Sequence, residues 1–241
     1  TAYLLLFGHL PTASEYQRWT NDVTHHRRIK FRITDLMKCL PEQGHPMDAL
    51  QAAVAALGMF YPGRNVKDIE NNYWSAVRLV AKLPTIVAAW ARLRHGDAPI
   101  PPRDDLGFSE NFFYMLTESV AHPLWSEIFD DCLILHAEHT MNASTFTGLV
   151  TASTLADPYT VVASSIGALK GPLHGGANEE VVVMLKEIGT ADKARSYVEG
   201  SLSNKKKLMG FGHRVYKVKD PRATVLQGLC RSLFKECGSS P

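Results

Sequence analysis

Three histidines and one arginine stand in contexts that suit chemistry on a carbonyl group. His139 lies in Ala-Glu-His-Thr-Met-Asn, His174 in Gly-Pro-Leu-His-Gly-Gly, and His213 in Gly-Phe-Gly-His-Arg. A neutral imidazole can donate a hydrogen bond to a carbonyl oxygen as charge develops there, or exchange a proton near neutral pH. Arg222, in Asp-Pro-Arg, can bind a carboxylate through two parallel hydrogen bonds. Together these residues predict a site for a small carboxylated carbonyl compound.

The segment around His174 predicts a break between two helices. Glycines on both sides allow a sharp turn and a close approach of a ligand to the backbone, and Pro172 opposes a continuous helix. An apolar stretch of small residues over 161–169 precedes the break, and a helical pattern over 179–188 follows it. A histidine in a protein core rarely needs such surroundings, so we favour a functional role for His174.

A metal site is an alternative interpretation of the histidines. His136 and His139 are three residues apart and could share one face of a helix. The segment is not His-Glu-x-x-His, however, and no thiolate or carboxylate falls at a compelling spacing. We therefore expect no metal, and elemental analysis of the protein would decide the matter.

The elements that must position these residues are predicted to be helices, because strand signals are weak and helical periodicity dominates. A loop rich in proline is expected over 96–107. The predicted helices are 46–58, opened by Pro46 and closed by Gly58; 69–80; a separate helix entered at Pro84; one that begins near Leu133; 181–188, stopped by Gly189; and one over 225–233, with Asp220 as N-cap and Pro221 first. We therefore predict an all-α protein.

The composition excludes several classes of protein. The 241 residues are 45% apolar and 21% charged, with a net charge of +2, which indicates no dedicated nucleic-acid or membrane surface. No apolar run approaches the roughly 18 residues of a transmembrane helix. The four cysteines form no Cys-x-x-Cys motif, so we expect free thiols and a cytoplasmic protein. The sequence opens inside an apolar pattern without Met, and we expect a piece of a longer protein.

The motifs together resemble those of citrate synthases of the bacterial branch. The resemblance spans essentially the whole chain, and three separate motifs in the right order make it specific. The segments that carry it are, in chain order, His-Pro-Met-Asp at 45–48, Pro-Pro-Arg-Asp-Asp-Leu at 101–106, Ala-Glu-His at 137–139 with Asn-Ala-Ser-Thr at 142–145, the glycine-rich segment 171–179, and the segment 208–217 with Asp-Pro-Arg at 220–222.

This resemblance implies a multihelical homodimer with a cleft between two domains. The large domain would cover 1–172, and an incomplete small, CoA-binding domain would cover 173–241. The reaction implied is the condensation of acetyl-CoA with oxaloacetate and water, which gives citrate and CoA at the entry of the tricarboxylic acid cycle. No cofactor is expected, because acetyl-CoA is a substrate.

The resemblance also implies a role for each site residue. His174 would donate to the thioester carbonyl as the enol forms, and His213 would polarise the ketone of oxaloacetate. His139 and Arg222 would bind oxaloacetate carboxylates. The CoA-binding residues would be Leu208, Met209, Gly210, Phe211 and Gly212 at the adenine, with Lys205, Lys206 and Lys207 at the phosphates. A run of lysines is about as often a solvated surface as a phosphate-binding site, so both interpretations of 205–207 stay open.

The sequence departs from the family pattern in three places. The family's base is an aspartate in a later Asp-x-x-Ser-Gly segment, which this sequence lacks, and Asp220 belongs to the Asp-Pro-Arg motif instead. Thr140 replaces a common glutamate, and 147–149 lacks an arginine seen in many bacterial members. We therefore expect the 241-residue chain alone to be nearly inactive. A 2-methylcitrate synthase that uses propionyl-CoA, and a non-catalytic helical dimer or ligand-binding fragment, stay open as alternatives.

Overall fold

The structure is a computed structural model that describes residues 1–61, 65–212 and 216–238, and every regular element in these ranges is a helix. The α-helices are, in chain order, α1 (Ala2–Phe7), α2 (Ala13–His25), α3 (Phe31–Lys38), α4 (Pro46–Gly58), α5 (Ile69–Leu93), α6 (Phe108–Thr117), α7 (Pro123–Ala137), α8 (Ala143–Ser153), α9 (Pro158–Leu169), α10 (Gly176–Ile188), α11 (Ala194–Ser203) and α12 (Pro221–Glu236). The prediction of an all-α protein is confirmed.

Several helix boundaries follow the local rules read from the sequence. The limits of α4 are those predicted, with Pro46 first and Gly58 last. The Asp220 side chain caps α12 by accepting the N–H of Arg222 at 2.9 Å. Helix α10 ends before Gly189, whose φ of 77° lies in the left-handed region that glycine adopts without strain. The loop predicted over 96–107 is also free of helix.

The prediction of a separate helix entered at Pro84 was wrong. Helix α5 runs unbroken through this proline. A proline inside a helix costs about 3 kcal/mol, since it removes one hydrogen bond and crowds the preceding turn. The residues that follow are buried, including Ile86, Ala89 and Trp90. The burial of this apolar face outweighs the local cost, which a reading of the sequence alone did not weigh.

The stripe at Leu133 ends a helix instead of beginning one, so this prediction was also wrong. Helix α7 begins at Pro123, where the imidazole Nδ1 of His122 accepts the N–H of Leu124 at 3.3 Å. Pro123 occupies the first helical position, as Pro46 does in α4, so the sequence did contain a signal for this start.

The core lies where α4, α5 and α9 meet, and α8 lies against the opposite side of α9. Its buried members include Ile33, Met37, Ala53, Val54, Leu57, Ile86, Trp90, Tyr159, Ala163 and Ile166. This packing fixes the end of α9 and the start of α8, which carry two of the predicted site segments.

The predicted domain boundary between 172 and 173 falls in the turn from α9 to α10, and the division itself stays a prediction. In the described part of the chain, no helix combines the length and apolar character needed to cross a membrane.

Candidate active site

His174 lies in the turn between α9 and α10, as predicted. Its backbone N–H donates to the carbonyl of Gly171 at 2.9 Å, and the N–H of Gly176 reaches the same oxygen at 3.1 Å. A Cβ on Gly176 would lie 2.4 Å from the carbonyl oxygen of Lys170, and a Cβ on Gly175 would lie 2.4 Å from the Leu169 side chain. Both positions therefore require glycine, and the turn has little freedom to change shape.

The His174 imidazole is held from α8. Its Nε2 lies 2.8 Å from the hydroxyl oxygen of Ser144, which also lies 3.0 Å from the carbonyl oxygen of Ser165 on α9. One hydroxyl proton can serve only one of these acceptors. When it is donated to Nε2, the neutral imidazole carries its own proton on Nδ1, where it can be donated to another group.

The electrostatics of His174 favour the neutral ring. Burial lowers the pKa of His174 below its ordinary value, and the nearby His139 lowers the pKa further. Both causes disfavour the charged imidazolium, since burial removes water and a positive charge on His174 is repelled by one on His139. A neutral imidazole at this position can donate a hydrogen bond without carrying a positive charge.

His139 follows the end of α7 on a tight connection to α8. Thr140 has a φ of 74°, and its N–H donates to the carboxylate of Glu138. Asn142 then caps α8 by accepting the N–H of Thr145 at 2.9 Å, which places Ser144 in the first turn of the helix. This connection borders a cavity of about 350 Å³ lined by His136, Ala137, Glu138, His139, Thr140, Met141, Asn142 and Thr145.

Arg222 lies beside the same connection, paired with Asp220. Its Nη2 lies 2.7 Å from the carboxylate of Asp220, and its Nη1 reaches the carbonyl of Leu135 on α7 at 3.4 Å. The hydrogen bonds from Arg222 lower the pKa of Asp220 to about 2, with a smaller contribution from His139. His139 is therefore in electrostatic range of both His174 and Asp220. The structure brings three of the predicted site residues, His139, His174 and Arg222, to one region.

The predicted CoA segment lies beside α10. Gly210 and Gly212 adopt φ of 81° and 73°, and a Cβ on Gly210 would lie 3.1 Å from Val181 on α10. The three lysines before it are all exposed, and Lys206 lies 3.8 Å from the Glu187 carboxylate. The CoA segment thus packs against α10, the helix that begins directly after the turn that carries His174.

His213 lies outside the described residues, so its predicted position is not compared with the others. Within the described ranges, no group of three His, Cys, Asp or Glu side chains is placed to hold a metal ion. His136 directs its Nδ1 to the carbonyl oxygen of Cys132 at 2.6 Å, inside α7.

Ser144 is the residue that the sequence reasoning missed. It stood within a motif segment but had no assigned role. The asparagine two positions earlier was the available signal, because an N-cap fixes the direction of the side chains in the first turn of a helix.

Comparison with known proteins identifies the family. The model of the family described as "Citrate synthase, C-terminal domain" matches residues 1–241. The chain belongs to the citrate synthase family. The citrate synthase of a Synechocystis strain is 58% identical over 98% of this chain and 60% of its own length. A protein named citrate synthase 2 from Bacillus subtilis is 44% identical over 99% of the chain and 64% of its own length.

Solved structures of citrate synthases share the fold. The crystal structure from Pyrobaculum aerophilum superposes with a TM-score of 0.87 at 42% identity, covering 98% of this chain and 61% of that one. The structure from Thermotoga maritima gives 0.83 at 38% identity, covering 97% and 62%. The chain thus spans about three fifths of the length of these relatives, and the prediction of a citrate synthase fold is confirmed.

Proposed function

We propose that the complete protein is a citrate synthase, which condenses acetyl-CoA with oxaloacetate and water to give citrate and CoA at the entry of the tricarboxylic acid cycle. The observation that carries the proposal is the grouping of His174, Ser144, His139 and the Asp220–Arg222 pair at one region. A neutral donor for a thioester oxygen and cationic groups for a dicarboxylate are what this reaction needs. The membership of the chain in the family supports the same assignment.

In this proposal His174 donates from Nδ1 to the thioester carbonyl as the enol forms, while Ser144 donates to Nε2 and fixes the tautomer. His213 polarises the ketone of oxaloacetate that the enol attacks. His139 and Arg222 bind its carboxylates. Arg222 must share its guanidinium between Asp220 and the substrate, because two of its nitrogens already bond that carboxylate.

The base that removes the thioester α-proton is not Asp220. The pKa of this carboxyl is lowered to about 2 by its bonds to Arg222, so it is a weak base at neutral pH. We propose that a carboxylate beyond the 241 residues performs this step, and that the chain alone is therefore nearly inactive.

For CoA, we propose that the turn formed by Leu208, Met209, Gly210, Phe211 and Gly212 holds the adenine. The lysines 205–207 meet the phosphates as point charges. Since Lys206 is already near Glu187, Lys205 and Lys207 are better placed to bind a phosphate.

We further propose that the protein is a cytoplasmic homodimer that needs no cofactor. The exposed apolar side chains on α8 support an interface between two copies, because Phe146, Leu149 and Val150 are each more than half exposed in the single chain. The four cysteines are free thiols, which supports a reducing compartment.

The reaction is tested by CoA release, followed with a thiol reagent. A chain extended to the length of its relatives should release CoA from acetyl-CoA only when oxaloacetate is present. Replacing His174 with Ala should lower kcat by about 10²–10³-fold, since a hydrogen-bond donor to a developing oxyanion is worth that much. CoA release that does not require oxaloacetate would contradict the proposal, and faster turnover of propionyl-CoA would assign the protein as a 2-methylcitrate synthase instead.

A further inference from the structure

The segment His45-Pro46-Met47-Asp48 has no role in the site described so far. His45 is the N-cap of α4, and its Nδ1 accepts the N–H of Met47 at 3.2 Å. Pro46 occupies the first helical position, where no backbone N–H is needed. Because Nδ1 acts as an acceptor, a neutral His45 ring carries its proton on Nε2.

This Nε2 points across the molecule to α10. It lies 3.0 Å from the Glu179 carboxylate, in the first turn of α10 and 134 residues away in sequence. The cap thus fixes the tautomer that donates to Glu179. One side chain thereby serves both the helix end and a long-range contact.

The same turn of α4 also holds the other side of the His174 turn. Lys170, directly after α9, places its Nζ 2.7 Å from both carboxylate oxygens of Asp48. Residues 170 and 179 flank His174, so both arms of its turn are fastened to the first turn of α4. The buried residues of α4, such as Ala49 and Ala53, anchor that turn in the core.

We infer that His45 and Asp48 are positioning residues, which hold the turn between Lys170 and Glu179 so that His174 faces its substrate. The glycines at 175 and 176 fix the shape of the turn, as shown above, but not its placement against α4. That placement depends on the His45–Glu179 hydrogen bond and the Lys170–Asp48 ion pair. The inference rests on the proposed function in one respect, namely that His174 acts on the acyl donor.

The chain offers a matched control for His45. His122 also precedes a proline, caps its helix through Nδ1, and directs Nε2 toward a distant carboxylate, that of Glu236 at 3.7 Å. This second His-Pro cap joins α7 to the end of α12, away from the His174 turn. The same substitution at both histidines therefore shows whether an effect comes from the contact at the His174 turn or from losing any such histidine cap.

The first measurement is amide hydrogen exchange in the 241-residue chain. Asparagine is a good N-cap but is too short to reach either glutamate, so His45→Asn and His122→Asn keep the caps and lose the long-range contacts. We expect His45→Asn to speed exchange in the segment 170–179 about two- to fivefold, the range that one exposed polar contact supports. His122→Asn should leave this segment unchanged. Unchanged exchange in His45→Asn, or an equal increase in both variants, would overturn the inference.

The second measurement uses the chain extended to the length of its relatives. We expect His45→Asn to lower kcat about tenfold with little change in KM for oxaloacetate, because a small misplacement of a reacting group slows the chemical step. Glu179→Ala should reproduce this loss, and the double variant should lose no more than either single one. A normal kcat despite faster exchange would overturn the positioning role. If the unaltered protein forms no citrate, the proposed function fails alone, and the exchange comparison still tests the placement of the turn.

Discussion

At the scale of single residues, the proton of Ser144 decides what His174 can do. The hydroxyl lies between two acceptors, the carbonyl oxygen of Ser165 and the Nε2 of His174. Donation to the carbonyl would leave Nε2 protonated and Nδ1 without a proton to give. Donation to Nε2 prepares Nδ1 as the donor that the proposed reaction needs.

We therefore expect Ser144→Ala to lower kcat about 10- to 100-fold while KM for acetyl-CoA changes little, since the wrong tautomer removes a donor used in the transition state. The measurement is steady-state CoA release by the chain extended to the length of its relatives. Ser153→Ala is the control, because Ser153 lies at the far end of α8 and donates only to the Val150 carbonyl of its own helix. Equal activity of the two variants would exclude the tautomer role of Ser144.

At the scale of elements, the site depends on how closely α8 and α9 approach. The hydroxyl oxygens of Ser144 and Ser165 each lie within hydrogen-bond distance of the other's backbone carbonyl oxygen, at 3.0 and 3.1 Å. Gly148, which is buried, makes room for this contact, because a Cβ there would lie 2.8 Å from the Ser165 hydroxyl oxygen. The absence of a side chain at Gly148 thus allows the two helices to approach this closely.

Gly148→Ala should lower the free energy of unfolding by about 1–3 kcal/mol, since the Ser165 hydroxyl can yield only by losing its hydrogen bonds. The matched change is Gly200→Ala in α11, where a Cβ would meet nothing within 4 Å. This second variant should gain about 0.5–1 kcal/mol from helix propensity. Urea unfolding of both variants checks the prediction, which fails if Gly148→Ala is as stable as the unaltered chain.

At the scale of the whole molecule, a buried lysine ties the connection between α2 and α3 to α5. Lys82 is 4% exposed and donates to the carbonyls of His26, at 2.6 Å, and Arg28. Thr85 donates to the intervening carbonyl of Arg27 at 2.8 Å. Three successive carbonyls of an irregular segment are thereby satisfied by side chains of one helix.

Lys82 makes stability depend on pH. Burial, together with the charges of Lys30 and Arg78, lowers the pKa of Lys82 from 10.5 to about 8. Between about pH 8 and 10.5 the unfolded chain therefore binds more protons than the folded chain, so the free energy of unfolding rises with pH across this window. Below about pH 8 the full cost of burying the charged Lys82 is present. Lys82→Met should remove a rise on the order of 2 kcal/mol. Urea unfolding at both ends of the window tests this, and an identical pH dependence in Lys82→Met would contradict it.

The sequence predicted the helix limits and breaks that depend on residues close together in the chain. The limits of α4, the cap at Asp220 and the break at His174 follow from prolines, glycines and capping side chains within a few residues. The continuation of α5 through Pro84 could not be predicted in this way, because it depends on burial against other helices. The contact of Ser144 with His174 joins residues 30 apart, and no spacing rule encodes it. The family resemblance supplied the roles of the histidines, while the structure supplied the hydrogen-bond partner of His174 and showed that His139 lies near it.

The hydrogen bonds from α5 to the carbonyls of residues 26–28 also affect the order in which the chain folds. The hydrogen bonds from Lys82 and Thr85 span 54 to 58 residues, so the chain must close a long loop before they can form. Arg27, in the same segment, donates to the carbonyls of Arg103 and Leu106 across a further 76 and 79 residues. Helices α2 and α5 can each form from local contacts, whereas the carbonyls of this segment find their hydrogen-bond donors only when α5 is in place. We therefore expect this segment to be among the last parts of the molecule to assemble and to be unformed in the rate-limiting step of refolding.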